Sequence, residues 1–273
     1  MKMISCFCIT YSFKETLFCH VNELSGLLAD LPPAVDAVQQ ELAAQVDVCI
    51  TCVPMPKDAK GVLLGPDGVF ENLPEGGVHF DLSTLDIETV VMLEAEAAKR
   101  GKKYLVIPMG KGPAFAADGT CPLFGGGDKA TYDKYEECLL KKMGKPAYIG
   151  DVKAGCALKL IQNLMGMSIN AVCSESIKLA KLTNIPKEQF IEQISNSGAF
   201  SFQFKNTASG TFDEDFEHPV FTVNLAFKDV RLGIEMCESL GQRVPMMSRA
   251  REVFAATAEK YGEENFTATF KML

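Results

Sequence analysis

Glycine is almost missing from the start of this chain, where residues 1–45 hold only Gly26. A loop that brings backbone close to a phosphate at a helix N-terminus needs bare glycines. No strand, G-x-G-x-x-G, helix pattern can therefore be read there. Histidine is scarce as well. His20, His79 and His218 are dispersed, so they offer no metal-ligand spacing and no Ser-His-Asp or Cys-His arrangement. Positive charge is in deficit: 27 Lys and Arg against 35 Asp and Glu leave a formal charge of −8. Nucleic acid and anionic membrane are then not default partners. No apolar run is long enough to span a bilayer. The opening MKMISCFCITYSFKETLFCH lacks a small-residue cleavage site, which argues against a signal peptide. Ten cysteines lack the regular spacing of a disulfide framework. The CxxC pair, Cys49 and Cys52, falls in a strand-like run and not at a helix N-terminus, where a redox motif belongs. The cysteines read as small buried hydrophobes in a reducing compartment, by default the cytoplasm.

What is present is an ordinary soluble composition, 47% hydrophobic and 23% charged over 273 residues, enough for one large or two ordinary domains. The first half alternates β-type and helical runs. Residues 46–53, 77–82 and 104–107 read as strands, with a further short one at 122–124. Residues 33–44, 86–99 and 129–142 read as helices. Ile87, Val91, Ala95 and Ala98 form the expected inner face of the second, which Gly101 stops. Such alternation predicts a parallel sheet with helices on both faces and ligands beyond the carboxyl ends of the strands. That points to Val53-Pro54, Ser83-Thr84 and residues 108–112. The second half is nearly strand-free: a long helix over 151–184, then 187–195, a loop around 200–218, and helices at 223–240 and 245–261. The expected organisation is an α/β domain over residues 1–150 and a helical domain over 151–273, joined by the long helix.

On that long helix Gly155, Lys159, Asn163, Gly166 and Asn170 fall on one stripe at helical spacing. The neighbouring Leu158, Leu160, Ile161, Leu164, Met165, Met167 and Ile169 make it apolar nearly all round, as in a buried helix. A buried ammonium needs partners or loses its charge. The stripe is read as an active-site lysine with room left by two glycines. A snorkelling lysine with two backbone-bonded asparagines is the plain alternative.

Other features each have a functional and a plain explanation. Gly125-Gly126-Gly127-Asp128-Lys129-Ala130 fits G-x-G-x-x-A, but Asp128 puts a carboxylate where a pyrophosphate would sit, so a turn is preferred. In Asp81-Leu82-Ser83-Thr84, Ser83 and Asp86 suit helix capping, while Thr84 suits a ligand crevice. Lys228 and Asp229 are adjacent on a helix, diverge, and suggest a solvated face more than an ion pair. Lys111, between Gly110 and Gly112, is either a surface turn or a cation offered to an anionic substrate.

Taken in order, several motifs resemble the β-hydroxyacid dehydrogenases. They are residues 46–54 (VDVCITCVP), 65–68 (GPDG), 81–84 (DLST) and 119–127 (GTCPLFGGG). The most specific is GDVKAGCALKLIQN over 150–163, which is similar to the family's G-x-x-G-x-G-x-x-x-K-x-x-x-N signature. Lys228-Asp229 matches a second lysine motif. The resemblance implies a Rossmann-like α/β fold, here N-terminally incomplete, followed by an all-α domain, and NAD or NADP as cofactor. It implies Lys159 as general acid/base and Asn163 as a substrate ligand. Val53, Pro54 and Thr84 would line the cofactor site, with Lys228 near it. A homodimer or homotetramer is also implied.

Three departures stand out. The opening strand and glycine loop are absent or unrecognisable, as in a truncated or misread reading frame or a chain that has lost cofactor binding. Lys153 stands where a second glycine is usual and has the bulk to crowd the helix entry. The substrate loop, usually Ser-Gly-Gly, is here Gly110-Lys111-Gly112. That is similar to the sulfolactaldehyde reductase branch and implies a substrate with an additional anionic group. Asn22-Glu23 is the candidate position for choosing between NAD and NADP, Glu23 disfavouring a 2′-phosphate. The expectation is an NAD(P)-dependent reductase of a small aldehyde or keto acid. The alternative is a non-catalytic relative serving as a binding or assembly module.

Overall fold

Short runs, the central ones buried along nearly their whole length, build a six-stranded sheet. In the computed structural model of the chain, residues 5–8 and 43–273 are described. The Asn22-Glu23 position and most of the expected 33–44 helix lie outside these residues. The strands are β1 (Ser5–Cys8), β2 (Val48–Cys52), β3 (Val78–Asp81), β4 (Lys103–Val106), β5 (Pro122–Gly126) and β6 (Lys145–Gly150), and they lie side by side in chain order. β1 to β4 are parallel. β5 meets β4 antiparallel, and β6 is parallel to β5. The sheet is therefore mixed, which corrects the expectation of a wholly parallel one. β3 is buried throughout and β2 in all but Cys52, as in strands covered on both faces. Ile50, Phe80, Leu105, Ile107, Leu123 and Tyr132 centre the core of this unit.

Most of the expected elements form near their predicted limits. The helix Ile87–Lys99 is capped by Asp86, which accepts a hydrogen bond from the Thr89 N–H. Behind it Gly101 adopts φ +68°, and Lys102 N–H and Gly101 N–H bond Ala97 and Ala98 carbonyls, the paired bonds of a left-handed glycine stop. Its inner face is Thr89, Val90, Leu93 and Ala97, whereas Ala95 and Ala98 are exposed. The expected face was off because two alanines attract less burial than one leucine. β6 was not foreseen. Its Pro146 argues against a central strand, but it is an end strand of the sheet as described, where proline is tolerated.

The chain divides into two compact units, Met1–Lys159 and Leu160–Leu273, with the division inside the 31-residue helix Val152–Leu182. The second unit is helical: Lys187–Ser195, Phe202–Asp213, Val223–Ser239, Pro245–Tyr261 and a 3-10 turn over Phe266–Met272. Residues 202–213 correct the expected loop. Their propensity is poor, with Gly210 and several Ser, Thr and Asn. Phe204, Thr207, Ala208 and Thr211 nevertheless form a buried face at helical spacing. Ser201 caps the start, and Thr207 and Thr211 hydroxyls donate back to carbonyls four residues earlier. Burial overrides local preference here. This is an α/β, Rossmann-like unit followed by a helical one.

Candidate functional site

Because β2, β3 and β4 run parallel, their carboxyl ends share one edge of the sheet, and the strand-end candidates gather there. Val53 is buried and its N–H donates to Ser83 Oγ at 2.9 Å. Ser83 N–H in turn donates to Asp81 Oδ1 at 2.9 Å. Ser83 thus ties two strand ends and does not cap the following helix, which corrects its expected role. Pro54 and Thr84 are half-buried. Gly110 is buried because a Cβ there would press on Pro122 at 3.0 Å and Phe124 at 3.2 Å. Lys111 is exposed and takes φ +61°, a left-handed conformation that costs a non-glycine residue about 1 kcal/mol or more. Its ammonium lies 4.4 Å from the centre of the Phe115 ring. Gly112 is the N-cap of the short Pro113–Ala117 helix.

The glycine-rich run at 125–127 is accounted for by packing. A Cβ on Gly125 would lie 2.3 Å from the Tyr132 ring, and one on Gly126 would lie 2.4 Å from the Asp151 carbonyl oxygen. Asp128 caps the helix Lys129–Tyr135, its carboxylate held below the usual range by the Thr131 hydroxyl and N–H. The run makes a turn, as its sequence suggested. Among the described residues it was the candidate cradle for a phosphate, and its space is filled. Val53, Pro54 and Thr84 stand at the strand ends, and the described residues offer no glycine cradle for a pyrophosphate.

On the long helix Lys159 is only 7% exposed, too little for its ammonium to stand in open solvent. Asn163, one turn on and about 6 Å along the axis, is also buried. Its Nδ2 donates to Asp229 Oδ2 at 2.5 Å. A carboxylate only accepts, so Asp229 dictates which way the Asn163 amide faces. Lys228 Nζ lies 2.8 Å from Asp229 Oδ1, and both side chains are buried. This corrects the solvated-face reading and the expectation that the two diverge. Burial leaves the ammonium and the carboxylate each other as counter-charge, and the flexible lysine stem allows the contact. Asp229 was missed because no pattern links it to a residue 66 positions away.

The two glycines of the stripe make no ligand space. A Cβ on Gly155 would meet Val106 at 2.9 Å and Gly126 at 3.0 Å, and one on Gly166 would meet Gln203 at 3.5 Å. Asn170 is buried, and its amide nitrogen and oxygen have no hydrogen-bond partner among the described residues. Lys153 is exposed and does not crowd the helix entry. Nor is the helix buried all round: Ile161 and Met165 are 48% and 54% exposed. Among the described residues no group of three His, Cys, Asp or Glu could hold a metal, and no helix is long and apolar enough to cross a membrane.

Comparison with known proteins agrees with this geometry. Residues 26–156 match the NAD binding domain of 6-phosphogluconate dehydrogenase, and residues 154–273 match the NAD-binding domain of NADP-dependent 3-hydroxyisobutyrate dehydrogenase. The chain is 30% identical over 238 residues to the cytokine-like nuclear factor N-PAC of Xenopus tropicalis, covering 85% of this chain and 43% of that protein. It is 27% identical to glyoxylate/succinic semialdehyde reductase 2, chloroplastic, of Arabidopsis thaliana, covering 86% of this chain and 65% of that protein. The chain thus spans less than half the length of N-PAC. A 3-hydroxyisobutyrate dehydrogenase from Salmonella typhimurium has the same fold, with a TM-score of 0.79 at 24% identity over 86% of this chain and 82% of that one. Two successive domain matches over residues 26–273, together with the ordered motifs, make the chain a member of the β-hydroxyacid dehydrogenase family.

Proposed function

We propose that this chain is an NAD(P)-dependent oxidoreductase that interconverts a small hydroxy acid and its aldehyde or keto form. One observation carries the reading: a buried lysine, Lys159, shares a helix face with a buried Asn163 whose amide is fixed by Asp229. NAD or NADP, when bound, supplies or accepts the hydride. Lys159 gives a proton to the carbonyl oxygen during reduction and removes it from the hydroxyl during oxidation. Asn163 holds the substrate in a single orientation because its amide cannot rotate away from Asp229. Val53, Pro54 and Thr84 line the nicotinamide, with Lys228 near the cofactor. Gly110, Lys111 and Gly112 form the loop that receives the substrate, and the Lys111 ammonium favours a second anionic group. Its left-handed backbone, held at an energetic cost, supports a role beyond a surface turn.

The protein works as a homo-oligomer in this reading. Ile161, Met165, Val172, Leu179 and Leu182 are 48% to 68% exposed along the long helix. With Ser168 and Glu175 they alternate at spacings of four and three, the seam of a helix that packs on another helix. A groove of about 420 Å³ lined by Val172, Cys173, Phe190 and Phe204 lies beside the seam. A second copy of the chain, presenting the same apolar seam, is the partner proposed. Cys138, Cys156, Cys173 and Cys237 are thiols, in keeping with a reducing compartment such as the cytoplasm.

A second reading, a binding or assembly module without catalysis, is favoured by the single glycine in residues 1–45. Titrating the purified chain with NADH and NADPH at low salt, following cofactor fluorescence, separates the two. Saturable binding supports the oxidoreductase. A well-folded sample that binds neither cofactor overturns it and leaves the binding module.

A further inference from the structure

The buried polar groups behind the strand ends form a connected set that the proposed chemistry does not use. Asp81, the last residue of β3, is fully buried. Its Oδ1 accepts from Ser83 N–H and its Oδ2 accepts from the Tyr104 hydroxyl at 3.0 Å. The Ser83 hydroxyl accepts from Val53 N–H. The first of these bonds folds the turn after β3 in the manner of an aspartate bonding its own backbone two residues on. The bond from Val53 then fastens the turn after β2 to it. A carboxylate with no access to water is unfavourable unless its acceptors are filled, and burial pushes the Asp81 carboxyl above its ordinary range even so. Alternative side chains could fold either turn alone. Ser83 is what joins the two, and it sits where it does because Asp81 holds its N–H.

We infer that Asp81 and Ser83 are positioning residues: together they lock the turns bearing Val53, Pro54 and Thr84 into one rigid edge that fits the nicotinamide end of the cofactor. The inference rests on the NAD(P) reading above. The bonds made in the free protein spare the cofactor the entropy of ordering two loops, which is the general advantage of preorganisation. On the other side of the same network, Thr51 Oγ1 and His79 Nε2 lie 3.0 Å apart, and the His79 ring stacks on Tyr104 at 5.6 Å. The Thr51 carbonyl accepts from Leu82 N–H in the turn after β3, but the Thr51 and His79 side chains bond each other and neither turn. This pair provides an internal control, since one buried hydrogen bond can be deleted at either end.

The test measures the dissociation constants of NADH and NADPH and the melting temperature for wild type, Ser83→Ala and Thr51→Val. Ser83→Ala should weaken cofactor binding about five- to tenfold, the size of one lost hydrogen bond. Thr51→Val should lower the melting temperature comparably while leaving the dissociation constant within twofold. Asp81→Asn, which keeps an acceptor for Ser83 N–H, should recover most of the affinity lost in Asp81→Ala. Wild-type affinity in Ser83→Ala, or an equal loss in Thr51→Val, overturns the positioning role while the cofactor reading stands. If wild type binds neither cofactor, the cofactor reading falls and the positioning role with it.

Discussion

Gly155 of the long helix lies directly against Gly126 of β5, so that a Cβ added at Gly155 would stand 3.0 Å from the Gly126 Cα. Helix and strand backbones meet there with no side chain between them, and Val106 closes the remaining side at 2.9 Å. Gly155→Ala should therefore destabilise the protein by about 1–3 kcal/mol through overpacking. Gly166→Ala meets only ordinary contact with Gln203 at 3.5 Å. It should be neutral or stabilising by up to about 1 kcal/mol from improved helix propensity. Urea denaturation of both variants checks the contrast, and equal effects would contradict the packing described.

That contrast also marks how far the sequence can be read. Strand-helix alternation, the Asp86 and Gly101 helix signals and the Lys159–Asn163 spacing are local patterns, and all are legible. What Gly155 faces is not local. A glycine that leaves room for a ligand and one that admits a neighbouring backbone look alike until Gly126 is placed beside it. The same holds for Lys228 and Asp229: adjacency on a helix suggested divergence, and burial brought them together. The helix Phe202–Asp213 was hidden for a related reason, since its buried face outweighs a sequence of weak helix formers. Ser83 shows the limit within a motif. Its neighbours suited a cap, but its hydroxyl receives the N–H of Val53, thirty residues earlier.

Lys159→Ala should abolish turnover while leaving the fold intact. Loss of a general acid/base lowers rates by about 10²- to 10⁴-fold, and the circular dichroism spectrum of the variant should match wild type. Steady-state kinetics with NADH or NADPH and a panel of small keto acids and aldehydes is the measurement. A wild-type kcat in this variant would sink the assignment of Lys159.

Asp229 serves two partners, Lys228 and Asn163. Asp229→Leu alone takes the Asp229 counter-charge from Lys228 and the acceptor from Asn163, and should cost about 3–5 kcal/mol. Combining it with Lys228→Met removes both charges and should restore most of that loss. A thermodynamic cycle of the two singles and the double reads the coupling. If the losses simply add, the pair is not the energetic unit its geometry describes.

His79 gives the acid limb of the stability curve a definite sign. Burial lowers its pKa from 6.5 to about 3. Between those values the unfolded chain holds a proton that the folded chain refuses, so stability falls as pH drops below about 6.5. The slope from this one group reaches about 1.4 kcal/mol per pH unit. Asp81 acts in the opposite direction: its raised pKa favours the folded state at low pH, a contribution lost as pH rises through the folded value. His79→Phe keeps an aromatic ring against Phe70 and Tyr104 and leaves Asp81 in place, so comparison with wild type isolates the histidine. The variant should lose a pH-independent increment of about 1 kcal/mol for the Thr51 hydrogen bond. Its stability between pH 6.5 and pH 4.5 should decline less steeply, by close to one proton. Parallel curves for the two proteins across that range would mean that His79 is protonated within the fold and that its burial beside Tyr104 does not set the acid limit.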